Sequence, residues 1–184
     1  MRHLILIMAL LFGSAAWAVQ PGLGFGENDR LDELFTEMQS EAGEGAASAE
    51  REALRMFRQS GSAAMDLLLE RGYAAMEAED FEMAVWHFSA LVDHAPDFAE
   101  AYNGRAAAFF LLDKYGEAMV DIERALVLNP RHFGALGGMG VIQEQLDHPE
   151  NALKAYKAAL ALNPHSQELI DTVKRVEDSL SILH

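Results

Sequence analysis

The sequence predicts an all-α solenoid of three helix-turn-helix repeats with capping helices at both ends. Three observations carry that expectation. From Met65 onward residue types recur every 34 positions, so that Pro96, Pro130 and Pro164 fall in one column and Ala84, Ala118 and Ala152 in another; a fixed period of this length marks stacked supersecondary units. Flanking segments carry apolar residues at helical spacing, Leu31, Leu34, Phe35 and Met38 before the repeats and Leu169, Val173, Val176 and Leu180 after them. Half of the 184 residues are apolar, enough to give one domain a sizeable core.

In chain order, Met1, Arg2 and His3 form a basic start, Leu4 to Phe12 an unbroken apolar run, and Ala16-Trp17-Ala18 the small residues that a signal peptidase reads. Residues 1–18 therefore read as a secretory signal cleaved after Ala18, with the mature chain beginning at Val19 in the periplasm or outside the cell. The alternative, an uncleaved anchor, faces an apolar run too short to span a bilayer comfortably. A lipid anchor is excluded because the chain has no cysteine. The same lack removes disulfides, thiol nucleophiles and thiolate ligands.

Residues 19–28, with Pro21, Gly22, Gly24 and Gly26, read as a flexible leader. Residues 29–64 read as an acidic helical pair. Asn28 or Asp29 is placed to cap its first helix and Ser48 its second, which carries Leu54 and Phe57. This pair caps the solenoid or forms a degenerate fourth repeat. The repeats follow at 65–98, 99–132 and 133–166, Ser62 capping the first, and residues 167–184 form a C-terminal capping helix over the last repeat's apolar face.

Within the repeats, Gly72, Ala106 and Gly140 form a column of small residues, Phe88, Ile122 and Tyr156 a column of large ones, and Leu91, Ala125 and Ala159 a third. Each unit reads as helix, polar turn, helix, then a proline-bearing loop, since helices stop before the residue preceding proline. This pattern resembles the tetratricopeptide repeat family in its period, its small residue in the first helix, its alanine and aromatic in the second and its closing proline. The resemblance covers Met65 to Ser166. Where the family favours an early Trp and a later Tyr in the first helix, this chain has Leu68, Tyr102 and Leu136, then Ala75, Phe109 and Gln143. The glycine-rich stretch from His132 to Gln143 is thereby read as a helix. Gly140 falls where the two helices of a unit cross, and no Walker or GxGxxG spacing marks a nucleotide site.

The resemblance implies a right-handed superhelix whose first helices line a concave groove. Counted from the small-residue column, Asp66, Leu69, Tyr73 and Met76 of repeat one face it, with Glu100, Asn103, Ala107 and Phe110 of repeat two and Gly134, Gly137, Val141 and Glu144 of repeat three. Gly104, Gly134 and Gly138 would admit a partner backbone, unless the leader or the N-terminal helices cover them. A subset of the family grips chaperone C-terminal carboxylates with Lys, Asn and Arg; the matching positions here are Leu69, Tyr73, Gly104, Gly134 and Gly138, none of which binds a carboxylate by charge.

A formal net charge of −15 argues against nucleic acid and anionic membrane surfaces and leaves neutral or basic protein partners. No HxxxH or HExxH pair marks a metal site among His87, His94, His132, His148 and His165, which read as loop or cap residues. Ser60-Gly61-Ser62 lacks the spacing of a nucleophile elbow. Arg71 and Arg105 share a column, and Arg105 is expected to pair with Asp121. The expectation is a protein without enzymatic activity, metal or cofactor: an exported adaptor that docks an extended or helical segment of an envelope protein. On that reading Tyr73, Met76, Phe110 and Val141 form the floor, Asn103 bonds partner backbone, and Glu100 and Glu144 favour basic residues. The alternative is a structural or self-associating subunit that uses its terminal helices, as a homo-oligomer.

Overall fold

The structure is a computed structural model that describes residues 25–40 and 43–182. The segment expected to be an export signal, and most of the expected leader, lie outside the described residues. Among those described, nine helices and no strand are present: α1 (Phe25–Ser40), α2 (Glu44–Phe57), α3 (Ala63–Glu77), α4 (Phe81–His94), α5 (Ala99–Leu111), α6 (Tyr115–Leu128), α7 (Phe133–Gln145), α8 (Pro149–Leu162) and α9 (Gln167–Ile182). Helices α3–α4, α5–α6 and α7–α8 are the three repeats, and α9 packs on α8 as the terminal cap.

The small and large columns explain why each pair closes. A Cβ placed on Gly72 would lie 2.4 Å from the Phe88 ring, and one on Gly140 would lie 2.4 Å from the Tyr156 ring. In repeat two, where the large residue is the smaller Ile122, the small residue is Ala106, and both are buried in one cluster. The glycines therefore let two helix backbones approach across a bulky side chain. Phe88 is clasped from both sides, because a Cβ on Gly104 of the next repeat would also come within 2.6 Å of it.

Each repeat turns at a non-glycine residue with positive φ: Glu79 at 58°, Asp113 at 59° and Asp147 at 58°. The backbone N–H that follows each one reaches back into the ending helix, Asp80 to Ala75, Lys114 to Phe109 and His148 to Gln143, which is the bonding of a Schellman cap. The loops between repeats are equally repetitive. Phe98, His132 and Ser166 each donate N–H to the carbonyl of the residue before a repeat proline, Ala95, Asn129 or Asn163.

Helix α1 begins at Phe25, so residues 25–28 belong to it and not to the leader, and α2 begins at Glu44, which puts Ser48 on an exposed position inside the helix and not at its cap. Ser62 does hold the N-cap position of α3, but its hydroxyl makes no capping bond; Asp66 instead accepts from the Ser60 N–H at 2.8 Å.

The α1–α2 hairpin is fastened by Arg30, whose Nε and Nη2 donate to the two Glu52 carboxylate oxygens at 3.0 Å each. It does not extend the solenoid as a fourth repeat. Its apolar face, with Leu31, Leu34, Phe35, Met38 and Phe57, closes over Phe133 and Leu162 of repeat three. Phe35 meets Phe133 edge-on, and Phe57 stacks on the His132 ring at 4.7 Å. Asp32 pairs with Arg131, and the Gln39 amide reaches the Ala161 carbonyl.

A candidate partner-binding groove

The first helices α3, α5 and α7 present their groove positions in three registers, and the structure treats these positions differently. Glu100 is buried at 4% exposure. It accepts from the Tyr73 hydroxyl at 2.6 Å, from Asn103 Nδ2 at 3.2 Å and from His132 Nε2 at 2.7 Å. The His132 tautomer follows from its other nitrogen: Nδ1 accepts the Ala135 N–H at 3.1 Å as the cap of α7, so the ring proton sits on Nε2 and points at Glu100. The Arg58 guanidinium lies 4.6 Å from the centre of the Tyr73 ring, with Nε 3.6 Å from Glu100. Burial, reinforced by the Glu100 charge, pushes the Tyr73 hydroxyl pKa well above its ordinary range.

Glu144 is also occupied. Arg175 of α9 clamps both its oxygens at 2.8 Å, and the Tyr156 hydroxyl donates to it at 2.8 Å. The Arg175 hydrogen bonds hold the Glu144 pKa below the usual carboxylate range, while burial and then Glu144 raise that of Tyr156. Glu100 and Glu144 are thus not free carboxylates waiting for a basic partner, and the Asn103 amide is turned to Glu100. Their partners, Arg58 and Arg175, come from outside the repeats, where no column of the sequence points to them.

The remaining groove positions divide. Leu69 is buried in the first repeat's core, Gly104 faces Phe88, and a Cβ on Gly138 would meet Ile122 at 3.3 Å. These three are internal contacts. Gly134 and Ala107 are exposed, Val141 is 39% exposed, and a Cβ on Gly137 would meet nothing within 4 Å. The N-terminal hairpin therefore leaves Gly134 and Gly137 uncovered. Tyr73, Met76 and Phe110 are half-buried at the margin, Phe110 with its ring against Tyr115. The open floor is small and apolar, running from Ala107 to Gly137 and Val141.

Two clefts lie beyond it. One of about 420 Å³ lies on the concave side of α3, between Arg58, Glu70, Tyr73 and Glu77. The other, of about 470 Å³, opens at the seam where Leu31 and Phe57 of the hairpin face Leu128 at the end of α6 and Phe98 and Pro130 of the inter-repeat loops. The seam exists only because the hairpin folds back, and no local pattern in the sequence announces it.

Arg105 does pair with Asp121, through two bonds of 2.7 and 2.8 Å, and a third donor reaches the Ser89 hydroxyl of the preceding repeat. The ion pair fastens α5 to α6 within repeat two, and the Ser89 bond ties that repeat to the one before it.

Two family models described as tetratricopeptide repeat match residues 99–132 and 134–166. A TPR repeat-containing protein of Rhizobium etli is 32% identical over 153 residues, which span 83% of this chain and 75% of that protein. The chain belongs to the tetratricopeptide repeat family. Hsp70-Hsp90 organizing protein 1 of Glycine max is 26% identical over 112 residues, 61% of this chain but only 20% of that protein. Among solved structures, the first TPR of Spaghetti (RPAP3) bound to the HSP90 peptide SRMEEVD superposes with a TM-score of 0.61 at 25% identity, covering 64% of this chain and 93% of that one. The fold is thus the TPR solenoid, of a kind that binds a peptide in that relative.

Proposed function

We infer that this TPR protein is an exported, non-enzymatic adaptor that docks a helical or extended segment of an envelope protein against its concave face. The observation that supports this reading is the open floor of Ala107, Gly137 and Val141. Helical glycine costs roughly 0.5–1 kcal/mol relative to alanine, yet Gly137 touches nothing that would require it. A partner backbone lying on the floor supplies the reason. Because Glu100 and Glu144 are engaged within the chain, the docked segment presents a neutral, apolar face. Basic residues on it would reach Glu77, beside the α3 cleft.

The test is crosslinking capture from an envelope fraction by the native protein and by a Gly134→Ala/Gly137→Ala variant. The variant should melt at the same or a higher temperature and capture far less of whatever the native protein retains. Equal capture by both forms would remove the groove from the function. For export, the intact mass of the protein recovered from cells should correspond to a chain starting at Val19, and full-length protein in the inner membrane would overturn that part.

A further inference from the structure

Each repeat offers the next a fixed set of contacts, and the threefold sequence repetition shows what the first repeat is missing. The column Leu67, Ala101, Ala135 faces the preceding repeat: Ala101 and Ala135 are fully buried, whereas Leu67 is 45% exposed. In the next such column Ala108 and Ile142 are buried, and Ala74 is exposed. The ion pair that joins α5 to α6 within repeat two has no counterpart in repeat one. Arg71 matches Arg105, but Asp121 is matched by His87, whose Nδ1 is buried without a hydrogen-bond partner. Among the described residues Arg71 makes no ion pair, and neither does Glu70. This end of the solenoid is left open among the described residues, because the hairpin that precedes it in the chain lies over repeat three. The opposite end is closed by α9.

We propose that the open end of repeat one is a self-association surface, on which α3 of a second copy packs parallel to α3 about a two-fold axis. At 3.6 residues per turn, Leu67 and Ala74 lie almost in line, with Glu70 about 60° to one side of Leu67 and Arg71 about 40° to the other. In a parallel pair the opposite flanks of the two helices meet, as in parallel coiled coils. Each Arg71 then faces Glu70 of the other copy, and Leu67 and Ala74 form the dry centre. An antiparallel pair would set Arg71 against Arg71 and is disfavoured by charge. Closed two-fold pairing also ends with the dimer and leaves the floor of Ala107, Gly137 and Val141 free in both copies.

The experiment is sedimentation of the purified protein over a range of concentrations, with helicity followed by circular dichroism. The native protein should form a concentration-dependent dimer. Leu67→Glu, at a position already exposed, should keep the fold and weaken dimerisation about tenfold or more. Glu70→Arg and Arg71→Glu should each weaken it, and combining them should restore most of the loss, because the swap rebuilds the reciprocal pairs. A protein that stays monomeric at every concentration, or a dimer indifferent to Leu67→Glu and to the charge swap, overturns the proposal. Neither result bears on the groove, whose partner capture is measured separately.

Discussion

At the level of single residues, the glycines of this chain fall into two kinds that composition alone does not separate. Gly72, Gly104 and Gly140 sit against rings, so a methyl group there must push an aromatic side chain out of a closed core. Gly140→Ala should cost about 1–3 kcal/mol, the usual penalty of overpacking. Gly137→Ala meets open space and should be neutral or stabilise by roughly 0.5–1 kcal/mol. Urea unfolding of the two variants side by side checks the contrast, and equal effects would contradict the packing described here. Glu100 is a residue of the same structural weight. Glu100→Ala leaves the Tyr73 hydroxyl and the His132 Nε2–H without an acceptor in a buried place, which should destabilise by about 1–3 kcal/mol or more. The same unfolding measurement reads it.

Among the elements, α1–α2 and α9 reach the repeats in different ways. The hairpin is joined to α3 through residues 58–62, where Gly61 has a φ of 78° and is exposed. Its grip on the solenoid centres on Phe57, Phe35, Phe133 and Leu162. Truncating Phe57 to alanine should therefore open the hairpin before the repeats unfold. Hydrogen exchange in α1 and α2 should speed up together while α5 to α8 keep their protection, and uniform loss throughout the chain would show instead that the hairpin is an integral part of the core. Helix α9 packs on α8 through Val173 and Val176 and is pinned to α7 by the Arg175–Glu144 pair. Because the folded pKa of Glu144 is depressed, the stability it contributes is complete above the ordinary carboxylate value near 4.3 and is lost as pH falls through the lower folded value. Acid titration should accordingly loosen α9 below about pH 4. Arg175→Met should weaken the docking at neutral pH and flatten that dependence, as seen by exchange in α9 at each pH.

For the whole molecule, stability is a chain of neighbour contacts: one core cluster joins repeat one to repeat two, another joins repeat two to repeat three, and a third joins repeat three to α9, so the middle repeat belongs to both junctions between repeats. Ala118 is fully buried in that repeat. Ala118→Trp has no space to relax into, and the cost of about 1–3 kcal/mol or more falls on both neighbours at once. Its thermal transition should drop or broaden well beyond what a surface substitution such as Glu123→Ala produces. An unchanged transition would mean that α6 does not hold the register described.

The repeat architecture was legible in the sequence because its determinants are local and recur. A 34-residue period, a small residue opposite a large one, a proline ending each unit and an apolar stripe in α9 act within one helix pair or between neighbours. The Arg105–Asp121 pair, 16 residues apart, was legible for the same reason. The turn residues Glu79, Asp113 and Asp147 also sit at one period, but an acidic side chain does not announce a left-handed backbone as glycine does. The groove was legible only as a set of positions. Column counting found Ala107, Gly137 and Val141, while the occupants of Glu100 and Glu144 come from His132, Arg58 and Arg175, two of them 32 and 31 residues away and all three set by packing. The position of the hairpin was decided wholly by the tertiary structure. Its two helices are specified by their own apolar stripes, but such a stripe says only that a face must be buried, not against what. Phe133 and Leu162 answer that question through contacts such as Asp32 with Arg131, 99 residues apart in the chain, and they exist only once the solenoid has brought repeat three beneath the hairpin.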